Sequence, residues 1–540
     1  MQAPDNVLDV TAIYHSTAVP TAAGTSSCFG CFSTSCCPGA KTDTTPVLRD
    51  VHARVFGGEL LAVLGSKGSG KRALLDVIAG RTARGESRGR VTLNGSLLTP
   101  ELFRRHGAYV THRCHLLPSL TVRQTLSYAT WLANLKNRDS RVRQTLADLA
   151  LSQLANRPVS ELSRAEYRRL MLGVQLAKEP LLLLLDEPTW DTDPLNTYLI
   201  VSMLWSYATR RSSIVVLTME TPRSDVLPFV ARVALLCLGA VVYSGPTRSM
   251  LDYFTYVGFP CPELENPLMY YLCLSTVDRR SRDRFIESNQ QISVLVDKFK
   301  LEGGVFLKEA PASSLANSHM KDLHTPTSSL APTPIGMSHK SLQNRGMKTG
   351  CISTLAALYM RSLAATFACN KSGLCHFGSR LFLLPFILSL LSILYSHSKE
   401  QQSKVFLQTS GLMFNVLCLF YIAGIAITAF LFPGFRARYY QESREGLYGG
   451  ASFVSSYALL SLPLSLISSL MSLGILVPVL ELEPVNWLKA LGLLWVSFVV
   501  SEQLTVAALM VIKRPPSAAL TSLCIVLVSL VVATGNLRSF

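Results

Sequence analysis

Five long apolar stretches in the last third of the chain constrain its fold more than any other feature. A helix needs about 20 mostly apolar residues to cross the hydrocarbon core of a bilayer, and each stretch approaches or exceeds that length. A wholly soluble protein is therefore excluded, and an all-α transmembrane domain is predicted over 373–540. The predicted spans are Leu374–Tyr395, Val405–Phe432, Gly449–Leu480, Ala490–Ile512 and Ser517–Thr534.

The cations between these stretches indicate the orientation of the chain. They crowd before the first span and in the loops after the second and fourth spans, whereas the opposite loops carry fewer. Because loops rich in Lys and Arg remain in the cytosol, these sides are predicted to be cytosolic and Phe540 to lie on the outer face. The net charge of +16 follows this topology rather than a basic stripe, which disfavours nucleic-acid binding. The cations are Arg361, Lys371, Arg380, Arg436, Arg438, Arg444, Lys513 and Arg514.

The N-terminal half opens without an apolar leader, so it is expected in the cytosol, with the 13 cysteines of the chain reduced. Four cysteines cluster with the spacing C-x2-C-x4-C-C. A zinc site needs four ligands, but this spacing is irregular and has no distant second pair, which favours free or lipid-modified thiols. The clustered residues are Cys28, Cys31, Cys36 and Cys37.

Short apolar runs before the spans predict a soluble α/β domain. The runs Leu60–Leu64, Leu181–Leu185 and Ile214–Leu217 suit buried parallel strands. In Cys351–Ala368, Leu358 and its apolar neighbours recur at helical spacing with Arg361 on the other side, which predicts an amphipathic helix at a membrane surface, with a soluble helix as the alternative. The predicted order is an N-terminal segment over 1–46, the α/β domain over 47–301, a Ser- and Pro-rich flexible linker over 302–348, the amphipathic helix over 349–372 and the transmembrane domain.

The sequence GSKGSGKR follows the first apolar run and precedes a helical pattern, which is the context of a phosphate-binding loop. Glycines let backbone N–H groups wrap a β-phosphate, and Lys71 would neutralise the β- and γ-phosphates. A chance glycine-rich turn is the alternative. The residues predicted to contact nucleotide here are Gly65, Ser66, Lys67, Gly68, Ser69, Gly70, Lys71 and Arg72.

The run LLLLLDEPT supplies the matching half of a nucleotide site. Its strand would deliver Asp186 toward Mg²⁺ and Glu187, as the catalytic residue, toward an attacking water. The two halves together predict ATP and Mg²⁺ as the cofactors. Tyr14 could stack on adenine, although a surface tyrosine in an irregular segment is favoured.

These motifs resemble the nucleotide-binding domain of ABC transporters, and the order of the domains resembles the G subfamily of half-transporters. The segments GFPCP and NPLMYYLCLSTVDRRSRDR are similar to those of the sterol-exporting pair called sterolins. The resemblance implies an ABC-type α/β domain followed by the all-α membrane domain, a lipid or sterol substrate, and a partner half-transporter. It also implies that Asp193 is the D-loop aspartate and that the family signature is Leu162, Ser163, Arg164, Ala165 and Glu166.

Four departures from the family pattern weaken the predicted site. Arg72 stands where a Ser or Thr hydroxyl binds Mg²⁺, His112 matches the sensing Gln, and Glu220 matches the His that contacts the γ-phosphate. The signature lacks both of its glycines, and Arg164 replaces the first. Single losses of this kind cost roughly 10²–10³ in rate, so nucleotide binding without turnover is expected. Turnover is then expected in a composite site with a partner's phosphate loop, where Arg164 either obstructs closure or contacts the γ-phosphate.

The membrane half carries further predicted sites. Phe435–Tyr448 resembles the cytosolic coupling segment of the family, with a solvated charged loop as an equal alternative. Glu502 lies within the fourth apolar stretch, where a carboxylate usually faces a partner or a water-filled path, although the helix could also end there. The resemblance implies six spans, which suggests an incomplete chain. A regulatory or scaffold subunit and an inactive fragment are the alternatives to a transporter half.

Overall fold

The computed structural model describes residues 6–19, 43–82, 85–111, 114–135, 137–304, 350–368, 371–397, 405–480 and 484–538. The chain divides into two compact units. The first comprises Met1–Arg113 and Arg164–Met347, and the second comprises Cys114–Ser163 and Lys348–Phe540. The sequence predicts one domain over 47–301, whereas the structure groups residues 114–163 with the apolar helices.

A six-stranded sheet forms the centre of the first unit. Its order is β10-β9-β3-β8-β7-β6, with β10 antiparallel to β9 and the other five strands parallel. The three predicted parallel strands are confirmed, and all of β3 and β7 is buried because both faces of such a sheet are covered. The strands are β3 (Leu60–Leu64), β6 (Gly107–Val110), β7 (Leu182–Leu185), β8 (Ile214–Met219), β9 (Arg232–Cys237) and β10 (Ala240–Pro246).

A second, antiparallel sheet contains a strand that the sequence analysis places outside the α/β domain. Strand β1 (Val7–Val19) pairs with β2 (Asp43–Phe56) and with β4 (Glu86–Leu93), and β5 (Ser96–Leu97) completes the sheet. The predicted boundary at residue 47 is therefore wrong. Tyr14 lies in β1 with 46% of its surface exposed, so its assignment to an irregular segment is also wrong.

Helices follow most strands of the first unit. The most important for the site is α1, because it begins at Lys71, directly after the glycine-rich loop. The remaining helices of this unit are α2 (Pro100–His106), α5 (Arg164–Leu176), α6 (Pro194–Arg211), α7 (Thr247–Val257), α8 (Pro267–Leu274) and α9 (Arg282–Glu302), with α1 at Lys71–Ile78. The predicted linker over 302–348 falls almost entirely outside the described residues.

The second unit contains five helices long and apolar enough to cross a membrane among its described residues, and each contains most of a predicted span. The chain is therefore an integral membrane protein. Leu384, Phe420 and Phe498 lie in a buried apolar cluster that packs the first four of these helices together. The helices of the unit are α3 (Val122–Leu132), α4 (Arg138–Asp148), α10 (Cys351–Thr366), α11 (Lys371–His397), α12 (Val405–Arg444), α13 (Gly450–Leu480), α14 (Pro484–Val511) and α15 (Pro515–Arg538).

Helix α10 forms where the apolar spacing predicts a helix, but its buried face differs from the prediction. Ala357, Leu358 and Ala365 are buried, and Arg361 is buried among them with 7% of its surface exposed. The prediction that Arg361 lies on the polar side is wrong. A buried guanidinium requires an anionic partner, and Glu442 supplies it.

Candidate functional site: the phosphate-loop end of the parallel sheet

The glycine-rich loop connects the carboxyl end of β3 to the first residue of α1. Gly68 and Gly70 adopt φ angles of +83° and +100°, a region that favours glycine, so the loop can turn its backbone N–H groups inward. A Cβ atom at Gly65 would lie 2.3 Å from Ser69 Oγ and 2.6 Å from Leu236 O, so the tight packing of the loop needs glycine there as well. The local sequence therefore forms an anion-binding cradle at the start of a helix.

Lys71 points back across this loop. Its Nζ donates to Gly65 O at 2.5 Å and to Ser66 O at 3.2 Å, and only 6% of its surface is exposed. Burial lowers the pKa of Lys71, although the carboxylates of Glu220 and Glu187 act in the opposite direction. The loop thus holds one buried ammonium group ready for a phosphate.

Asp186 and Glu187 lie directly after β7, at the same end of the sheet. Thr218, near the end of β8, donates to Asp186 Oδ1 at 3.3 Å and accepts from the Glu187 backbone N–H at 2.8 Å. This contact fixes the turn in which Glu187 adopts a φ of +48°. Parallel pairing of β3, β8 and β7 brings these residues and the loop to one edge, as the motif order predicts. Thr218 was not predicted, because its role depends on strand order.

Glu220 brings a further negative charge to this edge. Its carboxylate oxygens lie 3.9 Å from Lys71 Nζ and 3.9 Å from Lys67 Nζ. Burial raises the pKa of Glu187, and the neighbouring Glu220 raises it further. Glu220 therefore lies beside both lysines that the sequence analysis assigns to the phosphate-binding loop.

A cavity of about 320 Å³ opens beside these carboxylates. Arg164, the first residue of α5, forms an ion pair with Asp191 in the cavity wall. Asp193 caps α6 by accepting from the Asn196 backbone N–H at 3.3 Å. Leu162 and Ser163 directly precede α5, Ala165 and Glu166 lie in its first turn, and His112 lies outside the described residues. The cavity is lined by Glu187, Thr189, Trp190, Asp191, Thr192, Pro194, Thr197, Met219, Glu220, Thr221 and Arg223.

The residues fit a nucleoside triphosphate but not the usual magnesium site. The loop offers glycine backbone and a buried ammonium group, which suit a polyphosphate. A Mg²⁺ ion in such a site needs a hydroxyl after the lysine, and Arg72 occupies that position with its Nε 3.8 Å from Asp186 Oδ2 and 3.8 Å from Asp76 Oδ2. A guanidinium donates and cannot ligate a cation. Asp76 was not predicted, although its position four residues after Arg72 on a helix is readable from the sequence.

Comparison with known proteins places these motifs in a family. Residues 48–190 match the family model described as ABC transporter. The chain is 32% identical over 461 residues to ATP-binding cassette sub-family G member 5 of Homo sapiens, covering 82% of this chain and 66% of the relative. It is 31% identical over 440 residues to sub-family G member 8 of the same species, covering 79% and 63%. The chain belongs to the ABC transporter family. Within it, the chain resembles the sterolin-like G-subfamily half-transporters.

The match to plant members extends over a similar part of the chain. ABC transporter G family member 17 of Arabidopsis thaliana is 28% identical over 436 residues, which cover 77% of this chain and 62% of the relative. The chain thus spans just under two thirds of the length of these relatives. The domain order of an N-terminal ABC domain and a C-terminal helical region is the one that the resemblance implies.

The membrane unit of this ABC transporter chain contains a buried charge cluster, Arg361, Arg438, Glu442 and Tyr448. Arg361 Nη1 donates to both Glu442 oxygens at 2.7 and 2.9 Å, and Arg438 Nε donates to Oε1 at 2.7 Å. Tyr448 donates to Oε2 at 2.5 Å. Helix α12 continues to Arg444, and Arg438 and Glu442 are 6% and 2% exposed. The alternative of a solvated charged loop is therefore wrong for these two residues.

Glu502 lies in mid-helix in α14, with 3% of its surface exposed. Its Oε1 lies 3.7 Å from Arg380 Nη2, and Arg380 Nη2 also donates to the Tyr457 hydroxyl at 2.6 Å. Because α14 continues to Val511, the alternative that the helix ends at Glu502 is wrong. The carboxylate faces a partner inside the helical bundle, which lowers the cost of burying its charge.

Proposed function

We propose that this chain is one half of an ATP-driven exporter of lipid-like molecules, with sterols as the favoured class. It would act as a heterodimer with another G-subfamily half-transporter. Family membership, a phosphate-loop site and five apolar helices support this proposal. The sterol assignment comes from the resemblance to the sterolins, since apolar helices suit many lipid-like solutes.

The observation that carries the proposal is the convergence of Lys71, Asp186 and Glu187 at one edge of the parallel sheet. Lys71 and the loop N–H groups would hold the β- and γ-phosphates, and Glu187 would orient or deprotonate the attacking water. Closure of two paired ABC domains on ATP would then switch the membrane domains between inward and outward openings.

We further infer that the chain's own site binds ATP but hydrolyses it slowly. Arg72 provides no metal ligand, and Glu220 places a carboxylate beside the lysines that would meet the phosphates. His112 occupies the position of the sensing Gln in the sequence. Hydrolysis would occur mainly at the other composite site, where a partner's phosphate loop meets Ser163 and α5.

The proposed location is the plasma membrane, with the ABC domain in the cytosol. The support is the cation distribution, because Lys- and Arg-rich loops flank one side of the predicted spans. The coupling segment around Glu442 would face that side, in agreement with the orientation proposed for the ABC domain.

Co-expression tests the proposal directly. The tagged full-length chain is expressed with candidate G-subfamily half-transporters, and co-purification and vanadate-sensitive ATPase activity are measured. We expect one partner to co-purify and to produce activity that the chain lacks alone. Robust ATPase activity from the chain as a homodimer would overturn the assignment of a slow site.

A non-catalytic regulatory subunit is the second candidate function. The ion pair between Arg164 and Asp191 favours this regulatory function. Arg164 occupies the signature position, and its charge is paired with Asp191. Ser163→Ala separates the two functions in the assembled pair, because Ser163 would meet the partner's phosphate loop in the composite site where hydrolysis is proposed. Unchanged transport in Ser163→Ala together with lost assembly in Lys71→Ala would support the regulatory function, whereas reduced transport in Ser163→Ala would support the transporter half.

A further inference from the structure

The position after the phosphate-loop lysine decides how a site of this type handles its metal. A Ser or Thr hydroxyl there ligates Mg²⁺, which in turn bridges the phosphate oxygens and the aspartate at the end of the neighbouring strand. In this chain Arg72 takes that position, and its guanidinium faces the same aspartate, Asp186, across 3.8 Å. The residue that removes the metal ligand therefore also brings a positive charge to the place where the metal would be needed.

The surroundings of Asp186 also disfavour a bound metal ion. Thr218 donates to its Oδ1, and Arg72 approaches its Oδ2. A divalent cation would have to displace the guanidinium from this carboxylate and then approach it closely, which like charges oppose. Asp76 lies one turn later on α1, and its Oδ2 is also 3.8 Å from Arg72 Nε. This second carboxylate pairs with the same nitrogen of the guanidinium.

Arg72 is also able to reach a ligand. Its side chain is 58% exposed, whereas the Asp186 side chain is 8% exposed, so the arginine stands at the open side of the pair. A guanidinium presents five N–H donors in a plane and binds phosphate oxygens in pairs. The contacts of Arg72 with Asp186 and Asp76 both run from Nε at 3.8 Å, which is longer than a hydrogen bond.

We propose that this site binds a nucleoside triphosphate without a divalent cation, and that the Arg72 guanidinium bridges Asp186 and the phosphates in place of Mg²⁺. The inference rests on the proposed nucleotide-binding function of the loop. Lys67, Lys71 and Arg72 bring three positive charges to the phosphate-binding end of the loop, and Glu220 opposes the two lysines there. The site then holds its nucleotide as a long-lived ligand rather than as a substrate.

The test measures ATP affinity of the full-length chain in lipid nanodiscs by titration calorimetry, once in excess EDTA and once in excess MgCl₂. We expect wild-type affinities that agree within about threefold, which is less than 1 kcal/mol. Binding that requires MgCl₂ would overturn the inference and leave the proposed function intact. An absence of ATP binding in both buffers would overturn the proposed nucleotide-binding function itself.

Variants of Arg72 identify the group responsible. In EDTA, Arg72→Ser is expected to lose at least about tenfold in affinity, as expected from losing a charged hydrogen bond to phosphate. In MgCl₂ it should recover most of this loss, because the hydroxyl restores a metal ligand. Arg72→Lys should keep binding in EDTA within about tenfold of wild type, since it retains the charge but not the paired donors.

Arg279→Ser serves as the matched control, because Arg279 is an exposed arginine outside the site. It is expected to leave both affinities unchanged. Equal affinities of Arg72→Ser and wild type in EDTA would overturn the role assigned to Arg72. If Arg72→Ser does not fold, the wild-type comparison and Arg72→Lys still decide the inference.

Discussion

Single residues set the balance of charge at the phosphate-loop site. Glu220 places its carboxylate 3.9 Å from both Lys67 and Lys71, the two lysines that would meet a polyphosphate. The same carboxylate contributes to the raised pKa of Glu187. One acidic residue thus opposes both the binding of an anion and the ionisation of the Glu187 carboxyl group.

Neutralising Glu220 is expected to tighten nucleotide binding. Because charges about 4 Å apart near a protein surface interact by up to about 4 kcal/mol, Glu220→Gln should raise ATP affinity by about threefold to tenfold, once screening is considered. It should also lower the pKa of Glu187, since one of the causes that raise this pKa disappears. Titration calorimetry measures the affinity, with Glu263→Gln, an exposed residue, as the control. Weaker binding in Glu220→Gln would contradict the repulsive role.

Cysteine chemistry reports the packing of the first unit. Cys237 is buried at the end of β9, and burial raises its pKa to about 11, whereas Cys273 is exposed on α8. Because the thiolate is the nucleophile, Cys237 stays protonated and unreactive below that pH. N-ethylmaleimide at pH 7.5 should therefore modify Cys273 in the folded chain and Cys237 only after denaturation.

Peptide mass spectrometry after timed labelling gives both rates. Cys273→Ser provides the control, because it should abolish the fast modification assigned to that residue and leave Cys237 protected. Equal labelling rates of Cys237 and Cys273 in the folded chain would show that β9 is not packed as described.

At the level of elements, the buried carboxylate of Glu442 joins helix α10 to helix α12. Arg361 comes from α10, and Arg438 comes from one turn earlier on α12. Each guanidinium would be costly to bury without this shared anion. One carboxylate thus serves two buried cations that come from different helices.

Removing the charge of Glu442 should destabilise the second unit strongly. Glu442→Gln leaves two buried guanidinium groups without an anion, which costs about 3–5 kcal/mol for a buried pair. We expect a clearly lower Tm in detergent, followed by tryptophan fluorescence. Arg444→Gln is the control on the same helix, because Arg444 is exposed and its removal should leave Tm nearly unchanged. The same Tm in both variants would show that the cluster contributes no stability.

At the scale of the whole molecule, the five apolar helices determine how the chain behaves in the cell. Each is at least 18 residues long with a mean hydropathy of 1.7 or more. Such helices leave lipid only at a large cost, because their side chains expose apolar surface to water.

Membrane extraction tests this property. After an alkaline carbonate wash, the chain should remain in the membrane pellet, and detergent should be required to release it. A co-expressed soluble protein serves as the control and should appear in the supernatant. Release of the chain by carbonate alone would contradict the assignment of the helices as spans.

The sequence alone determined the features that depend on local pattern. A run of about 20 apolar residues predicts a membrane helix in any context. The motifs around Lys71 and Asp186 predict a nucleotide-binding site at one edge of a parallel sheet, because they require a strand–loop–helix order. Both were predicted within a few residues of their observed positions, except that α12 ends well after its predicted span and α14 begins before its own. The resemblance to the family also marked Arg72 and Glu220 as departures from its pattern.

The tertiary structure decided the features that depend on partners distant in sequence. No local pattern shows that β1 pairs with β4, that residues 114–163 join the second unit, or that Glu502 faces Arg380. Arg361 is the clearest example. The sequence pattern places it on the polar face of a helix, but it is buried because it pairs with Glu442, 81 residues away in the sequence. The cost of burying a charge is set by what surrounds it, and those surroundings exist only after the chain has folded.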